Sequence, residues 1–389
     1  MSVHHRGAAL LAALSMTIVL AGCGSSTGDA GSPAAAAAPA GDSSSGSSAA
    51  PTSARTSAAE SPATTAAGET SAAPGSSGAP AGTDPEAGAY PVTIDSALGS
   101  VTLTEQPQRI ATWGWSAQDD VLALGLVPVA MPNYSYGGNK DQVLPWDADA
   151  IAALGGTAPS LLNSDSGQTP FEQFAAAKPD VILAPYSGLT QEDYDTLSRI
   201  APVIAYPEGP WATPWQDQLT IIGKALGLPA KAAAIKDEID SHITDLASQH
   251  PELTGTTFLY GAANQPGQLN VYRATDPRVE LLTQLGMAVS PSVAALDNGS
   301  DAASYFYPLS YEKLGDIDTD VLVAYFGDQA AADAFAKTPA VAAMASVQAG
   351  RFAPIIGESY VMASSAPSAL SIPWMLDRYV PELAQAAGK

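Results

Sequence analysis

Residues 90–389 contain two histidines, His242 and His250, and no cysteine. One histidine falls on a long helical stretch and the other just beyond it. Neither belongs to a His–x–His or HExxH pair, so a tight bare zinc or copper site is not expected. The chain has no GxSxG elbow, GxGxxG turn or Walker loop. Ser310-Tyr-Glu-Lys313 has SxxK spacing, but neither KTG nor SDN follows, and the segment reads as a helix start. Acidic residues are plentiful enough for paired-carboxylate chemistry, yet no spacing singles out a pair. The expectation is a protein that is not an enzyme, with no cofactor and no metal held by protein side chains.

The informative chemistry is aromatic. The chain has 6 Trp, 14 Tyr and 7 Phe, and none precedes Tyr90. Ligands of open α/β sheets bind beyond the carboxyl ends of the strands. The rings expected at such ends are Trp113, Trp115, Tyr134, Tyr136, Tyr186, Trp211, Tyr260, Tyr272, Tyr325 and Tyr360. They offer broad apolar faces with polar tips that can hydrogen-bond a ligand. Each also has a plainer reading, as packing beneath a loop. Their recurrence at one end of both halves points to a cleft.

The elements that must position these rings alternate between β-type apolar runs and helical stretches. Val92–Leu103 reads as a hairpin around a Gly turn. Strands are expected over Arg109–Trp113, Val127–Met131, Asp180–Ala184, Pro202–Tyr206, Thr256–Gly261, Gln268–Tyr272, Asp320–Phe326 and Phe352–Ile356. Helical pattern fills much of the intervening chain, which argues for βαβ units and a mostly parallel sheet. The stretch 214–250 breaks the alternation with helix alone, first Trp215–Leu226 and then a piece starting at Pro229. Ile235, Ile239, Ile243 and Leu246 fall on one face of that second piece, about 30 Å long at 1.5 Å per residue. It reads as a stiff strut between an N-terminal α/β lobe, residues 90–213, and a C-terminal one, residues 251–389. A single crossover helix within one sheet is the alternative. A stiff strut predicts limited closure of the lobes.

The first 22 residues read as a secretory signal, with Arg6, an apolar run from Ala8 to Leu20, and then Leu-Ala-Gly-Cys23. That ending is similar to a bacterial lipobox, in which the cysteine, here the chain's single Cys23, is diacylated. Residues 24–89 are almost wholly Ala, Gly, Ser, Thr and Pro and read as a disordered tether, with an r.m.s. reach of roughly 40–50 Å. The expected location is the outer face of the cell membrane, reached by secretion and held there by lipid. Formal charge is −23, which argues against nucleic acid and anionic lipid surfaces as partners. Residues 90–389 carry 33 acidic and 14 basic residues, so −19 of that charge belongs to the folded part.

Glu105-Gln-Pro-Gln-Arg-Ile-Ala-Thr-Trp113, leading into Gln118-Asp-Asp-Val-Leu-Ala-Leu-Gly-Leu-Val-Pro-Val-Ala130, resembles the opening of iron-complex ABC-transporter binding proteins. Phe171–Leu183, Tyr194–Ala201, Ser310–Leu322 and Val347–Phe352 resemble later segments of that family, in the same order. The resemblance runs from about residue 92 to about 380. It implies two Rossmann-like α/β lobes joined by a long linking helix, the class III periplasmic-binding-protein arrangement, with a ligand in the cleft between them. It further implies delivery of a ferric siderophore, or alternatively haem or a corrinoid, to an ABC permease and its ATPase by a monomeric binding protein. Two acidic residues, matched here by Glu172 and Glu312, would dock on permease arginines. Both also have local readings: Thr169 with Pro170 and Glu172 fits a capping box, and Ser310 can cap the turn that holds Glu312.

Without cleft His or Cys, iron is expected to arrive already chelated. Arg273 is the arginine expected nearest the ligand, with Arg278 one helical turn on. Few cations on an acidic domain favour a neutral or cationic chelate such as a ferric hydroxamate. Three rivals remain at this point. They are haem held by an axial Tyr, a tethered hydrolase using cleft carboxylates, and a receptor or adhesion role without transport.

Overall fold

The computed structural model describes residues 83–297, 299 and 304–389. The signal segment, Cys23 and the tether as far as residue 82 lie outside the described residues.

The N-terminal lobe is built on a five-stranded parallel sheet. Its spatial order is Ser160–Leu162, Ala130–Pro132, Ile110–Thr112, Val181–Ala184 and Val203–Ala205. Four of these strands fall on the expected runs. Ser160–Leu162 and the preceding helix Pro145–Leu154 were not expected, because neither carries a clear apolar period. The hairpin forms as expected, Val92–Ser96 pairing antiparallel with Gly99–Leu103.

The C-terminal sheet departs from the parallel expectation. Its order is Phe306–Ser310, Gln268–Tyr272, Thr257–Gln265, Val321–Phe326 and Phe352–Ile356, with Ala288–Val289 pairing the start of Thr257–Gln265. Gln268–Tyr272 runs antiparallel to both of its neighbours, and the remaining pairs are parallel. The physical reason is local. Thr257–Gln265 runs on past its expected end to a tight turn at Gly267, where φ is +73°, and only a hairpin can join strands so close.

The two helices of the strut stretch are Trp215–Ala225 and Pro229–Gln249. The longer one buries Ala232, Ile239, Ile243 and Leu246, with Ile235 only half covered. Those residues join one continuous apolar core that also takes in Val181 and Leu183 from the N-terminal sheet and Val321 and Val323 from the C-terminal sheet. The final helix, Ser371–Ala387, packs into the same core, and its Asp377 Oδ1 lies 2.9 Å from His242 Nε2 on the strut.

Two boundaries need correction. The tether expected to run to residue 89 gives way earlier to folded chain. Glu86 Oε1 accepts hydrogen bonds from the N–H groups of Ala230 and Lys231, at 2.8 and 3.2 Å. Tyr90 OH donates to the Ala225 carbonyl at 2.8 Å, and Gln106 Nε2 donates to the carbonyls of Thr83 and Leu226. The strut helix has Leu228 at its N-cap, which has no side-chain acceptor, so Glu86 supplies the missing cap from a distant segment. The second correction concerns the helix Phe171–Ala177. Its N-cap is Pro170 without a side-chain bond, so Thr169 does not cap it. Ser310 does cap, accepting from Glu312 N–H at 3.4 Å.

Candidate functional site

Arg278 organises the cleft. It sits at the start of the helix Pro277–Gln284, where Asp276 caps the helix by accepting from Arg278 N–H at 2.9 Å and also takes the guanidinium Nε–H at 2.8 Å. Arg278 is 6 % exposed and Asp276 is 1 %. Its guanidinium lies over the Tyr272 ring at 4.2 Å and the Tyr305 ring at 5.4 Å, and donates to Tyr272 OH at 3.2 Å. Tyr186, from the N-terminal lobe, brings its hydroxyl to the same guanidinium, as does Tyr305. Tyr325 OH completes the group, 3.0 Å from Tyr272 OH.

The electrostatics follow from burial. Burial works against the charge of Arg278, but the Asp276 carboxylate beside it opposes this and the guanidinium stays protonated. Burial raises the Asp276 carboxyl, and Arg278 opposes that rise. The phenols of Tyr186, Tyr260 and Tyr272 are pushed up by burial, partly countered by Arg278. Tyr136 is pushed up to about 12 by burial and by Glu358 and Tyr325 beside it. All these phenols are therefore neutral hydrogen-bonding groups near pH 7. The site can hold a ligand by ring faces, phenol hydroxyls and one compensated cation, and nothing in it activates a nucleophile.

The tryptophans meet the tyrosines through Tyr186. Trp211 lies edge-on to Tyr186 at 5.7 Å and tilted against Trp115 at 5.6 Å. Trp211 has a φ of +58°, a left-handed conformation that bulky residues rarely adopt. A Cβ on Gly188 would fall 2.5 Å from its indole nitrogen, so Gly188 leaves the space for that ring. Across the cleft, Tyr260 is edge-on to Tyr272 at 5.4 Å and donates to Ser364 Oγ at 3.3 Å.

The remaining expected residues sit elsewhere. Trp113 packs edge-on against Phe174 and joins none of these ring contacts. Tyr134 is 6 % exposed, and its hydroxyl accepts from Gln118 Nε2 at 2.9 Å in a separate buried cluster. Tyr360 lies tilted by 37° against Trp374 at 4.5 Å, with Arg378 over its ring at 4.6 Å. Arg273 pairs with Asp297 at 2.7 and 3.0 Å and donates to the Ser304 carbonyl. The arginine among the tyrosines is thus Arg278, contrary to the expected order of the two. Tyr272 ends a strand and Arg273 follows it directly in extended chain, so their side chains point to opposite faces. Tyr305 was not singled out by the sequence, because the strand Phe306–Ser310 that places it beside Tyr272 was not recognised.

Glu172 and Glu312 are both exposed, each in the first turn of a short helix, one on each lobe. Neither histidine belongs to the cleft: His242 faces Asp377, and His250 Nδ1 lies 3.2 Å from Glu252. Among the described residues, no group of three or more His, Cys, Asp or Glu is arranged to hold a metal ion.

Comparison with known proteins accords with this geometry. PiaA of Streptococcus pneumoniae TIGR4, solved in complex with ferrichrome, is 35% identical, with a TM-score of 0.69 over 76% of this chain and 98% of that one. A periplasmic solute binding protein from Mycobacterium smegmatis is 30% identical, with a TM-score of 0.66 over 76% and 99%. The ferric enterobactin-binding periplasmic protein FepB of Escherichia coli O6:H1 is 26% identical over 276 residues, covering 68% of this chain and 83% of FepB. The family model described as periplasmic binding protein matches residues 110–355, from the first strand of the N-terminal sheet to the last of the C-terminal one. On that match the chain belongs to the periplasmic binding protein family.

Proposed function

We propose that this chain is the binding protein of an iron-chelate ABC importer and carries a ferric siderophore in the cleft around Arg278. The observation that carries the reading is the convergence of Tyr186 from one lobe and Tyr272, Tyr305 and Tyr325 from the other on one buried guanidinium. Such a site recognises the organic shell of a chelate by ring contact and hydrogen bonds. Arg278 is balanced by Asp276 and Arg273 by Asp297, so neither brings uncompensated positive charge. That favours a neutral ferric hydroxamate over an anionic catecholate. Glu172 and Glu312 would face the permease, and a lipid on Cys23 would hold the protein at the outer membrane surface.

The test is a tryptophan-fluorescence titration with two ferric probes, ferrichrome and ferric enterobactin, with Trp115 and Trp211 as reporters. Saturable quenching by ferrichrome, with little by ferric enterobactin, is expected. Quenching by ferric enterobactin alone would reverse the charge assignment, and quenching by neither would overturn the iron-chelate reading.

A further inference from the structure

A second buried polar group lies outside the cleft, where the two lobes touch. Asp119 and Asp120 lie on the helix Ala117–Ala123 and Asp147 on Pro145–Leu154, and all three are 0 % exposed. None of the ion pairs among the described residues involves any of them. Asp119 Oδ2 accepts from Trp146 Nε1 at 2.7 Å and from the Ser368 hydroxyl. Asp120 Oδ1 accepts from Ala369 N–H at 3.3 Å. Ser368 and Ala369 precede the final helix, so these bonds tie the C-terminal lobe to the N-terminal one.

The donors are too few for three anions. Gln118 Nε2 has two hydrogens and faces three oxygens, Asp119 Oδ1 at 2.8 Å, Tyr134 OH at 2.9 Å and Asp147 Oδ2 at 3.1 Å. Asp120 Oδ2 and Asp147 Oδ1 are buried without a hydrogen-bond partner. Asp119 and Asp147 both turn an oxygen to the single Gln118 amide nitrogen, which places the two carboxyls side by side on one donor group. Buried carboxylates without a cation cannot all ionise.

We propose that this cluster is a proton-held latch between the lobes, which grips the segment 368–371 while its carboxyls keep their protons and loosens as they ionise. The titratable groups facing one another are Asp119 and Asp120 from one helix, Asp147 from the next, and Tyr134 from the loop after Ala130–Pro132. Among the described residues the other lobe contributes no charged group here, only the hydroxyls of Ser368 and Ser371 and the Ala369 N–H, and the helix Trp215–Ala225 contributes Gln218.

The direction of the pH dependence is fixed by burial. Burial raises Asp119 to about 6 against the hydrogen bonds it accepts from Ser368 and Trp146, and burial together with the charge of Asp119 raises Asp120 and Asp147 well above the ordinary value. In an opened junction each returns toward the ordinary value of 3.8. Opening therefore releases protons, and the latch is fully held below that ordinary value and weakens as pH rises through the closed-state values. Each proton released makes the opening constant grow about tenfold per pH unit.

Hydrogen exchange of the full chain, followed by mass spectrometry on peptides covering 366–372 from pH 5 to 8 and corrected for intrinsic exchange, measures the opening. A rise with pH is expected, steepening by up to about tenfold per unit for each carboxyl that releases a proton on opening. Asp147→Asn keeps a donor toward Asp119 and removes one titrating proton, so its slope should fall by about tenfold per unit. A flat wild-type profile, or an unchanged slope in Asp147→Asn, overturns the latch. Should Asp147→Asn fail to fold, Ser368→Ala tests it from the other lobe. Protection should then fall at every pH with the wild-type slope kept, and unchanged protection overturns the proposal.

Discussion

Trp146 of the N-terminal lobe meets Trp374 of the final helix with ring centroids 5.0 Å apart, and Tyr360 covers the other ring of the pair at 4.5 Å. This contact crosses between lobes beside the strut. Gly137 makes a second crossing, donating to Glu358 Oε2 at 3.4 Å and accepting from Ser359 Oγ at 2.7 Å. With a continuous core running through the strut, large rigid-body closure has little room. Truncating Trp146 to Ala should cost about 3–5 kcal/mol in denaturant unfolding, the usual loss for a buried indole. Solution scattering on the intact protein should register only a small change in radius of gyration when a ligand binds.

The two arginines should separate sharply. Arg278→Gln is expected to weaken ferrichrome binding by roughly 30-fold or more, as truncating a buried hydrogen-bonded charge costs about 2–5 kcal/mol. Arg273→Gln, which breaks the pair with Asp297 away from the tyrosines, should leave affinity within about twofold. Fluorescence titration of both variants decides, with a melt run in parallel because Arg278→Gln also leaves Asp276 buried and unpaired. Equal losses in the two would remove Arg278 from its central place.

For Glu172 and Glu312 the expected signature is a split between binding and transport. The double variant Glu172→Ala/Glu312→Ala should keep its affinity for ferrichrome while uptake of the iron-loaded ligand by whole cells falls several-fold. Uptake at the wild-type level would point to a receptor role without permease docking.

Acid sensitivity has a specific source at the start of the central strand Val321–Phe326. Asp320 accepts from Thr257 Oγ1 at 2.7 Å and from Thr257 N–H at 2.9 Å, and these bonds, with burial opposing, hold its carboxyl below the ordinary 3.8. A depressed value means the stabilisation is present above 3.8 and is lost as pH falls through the folded-state value. The melting temperature of Asp320→Asn should accordingly change less than that of the wild type between pH 5 and pH 3.

The cap on the strut is testable alone. Glu86→Ala removes the only side-chain acceptor for Ala230 and Lys231 among the described residues and should destabilise by about 1 kcal/mol, the usual cost of a lost helix cap. Chemical denaturation measures it directly.

Much of the architecture was legible because periodicity and Pro placement are local signals. Pro229 opens the strut where expected, and the runs around Val181, Val203, Val321 and Phe352 all became strands. What escaped depended on partners distant in sequence. Tyr305 matters only because the strand after it pairs with Gln268–Tyr272, and Glu86 caps a helix 144 residues away. In the site, residue type alone marked Tyr186, Trp211, Tyr272 and Tyr325 as ligand candidates. It could not say that Tyr134 turns into a buried acid cluster or that Trp113 packs on Phe174. Those outcomes are set by which face of each strand end the neighbouring helix covers.

The contacts of Glu86 and Tyr90 with residues 225–231, and of Gln106 with both Thr83 and Leu226, fix where the folded part joins the preceding chain. That join lies at the N-terminal end of the strut helix, beside Gln106 of the N-terminal lobe. A load entering through residue 83 is therefore passed first to the opening turn of the strut helix and to the N-terminal lobe beside it.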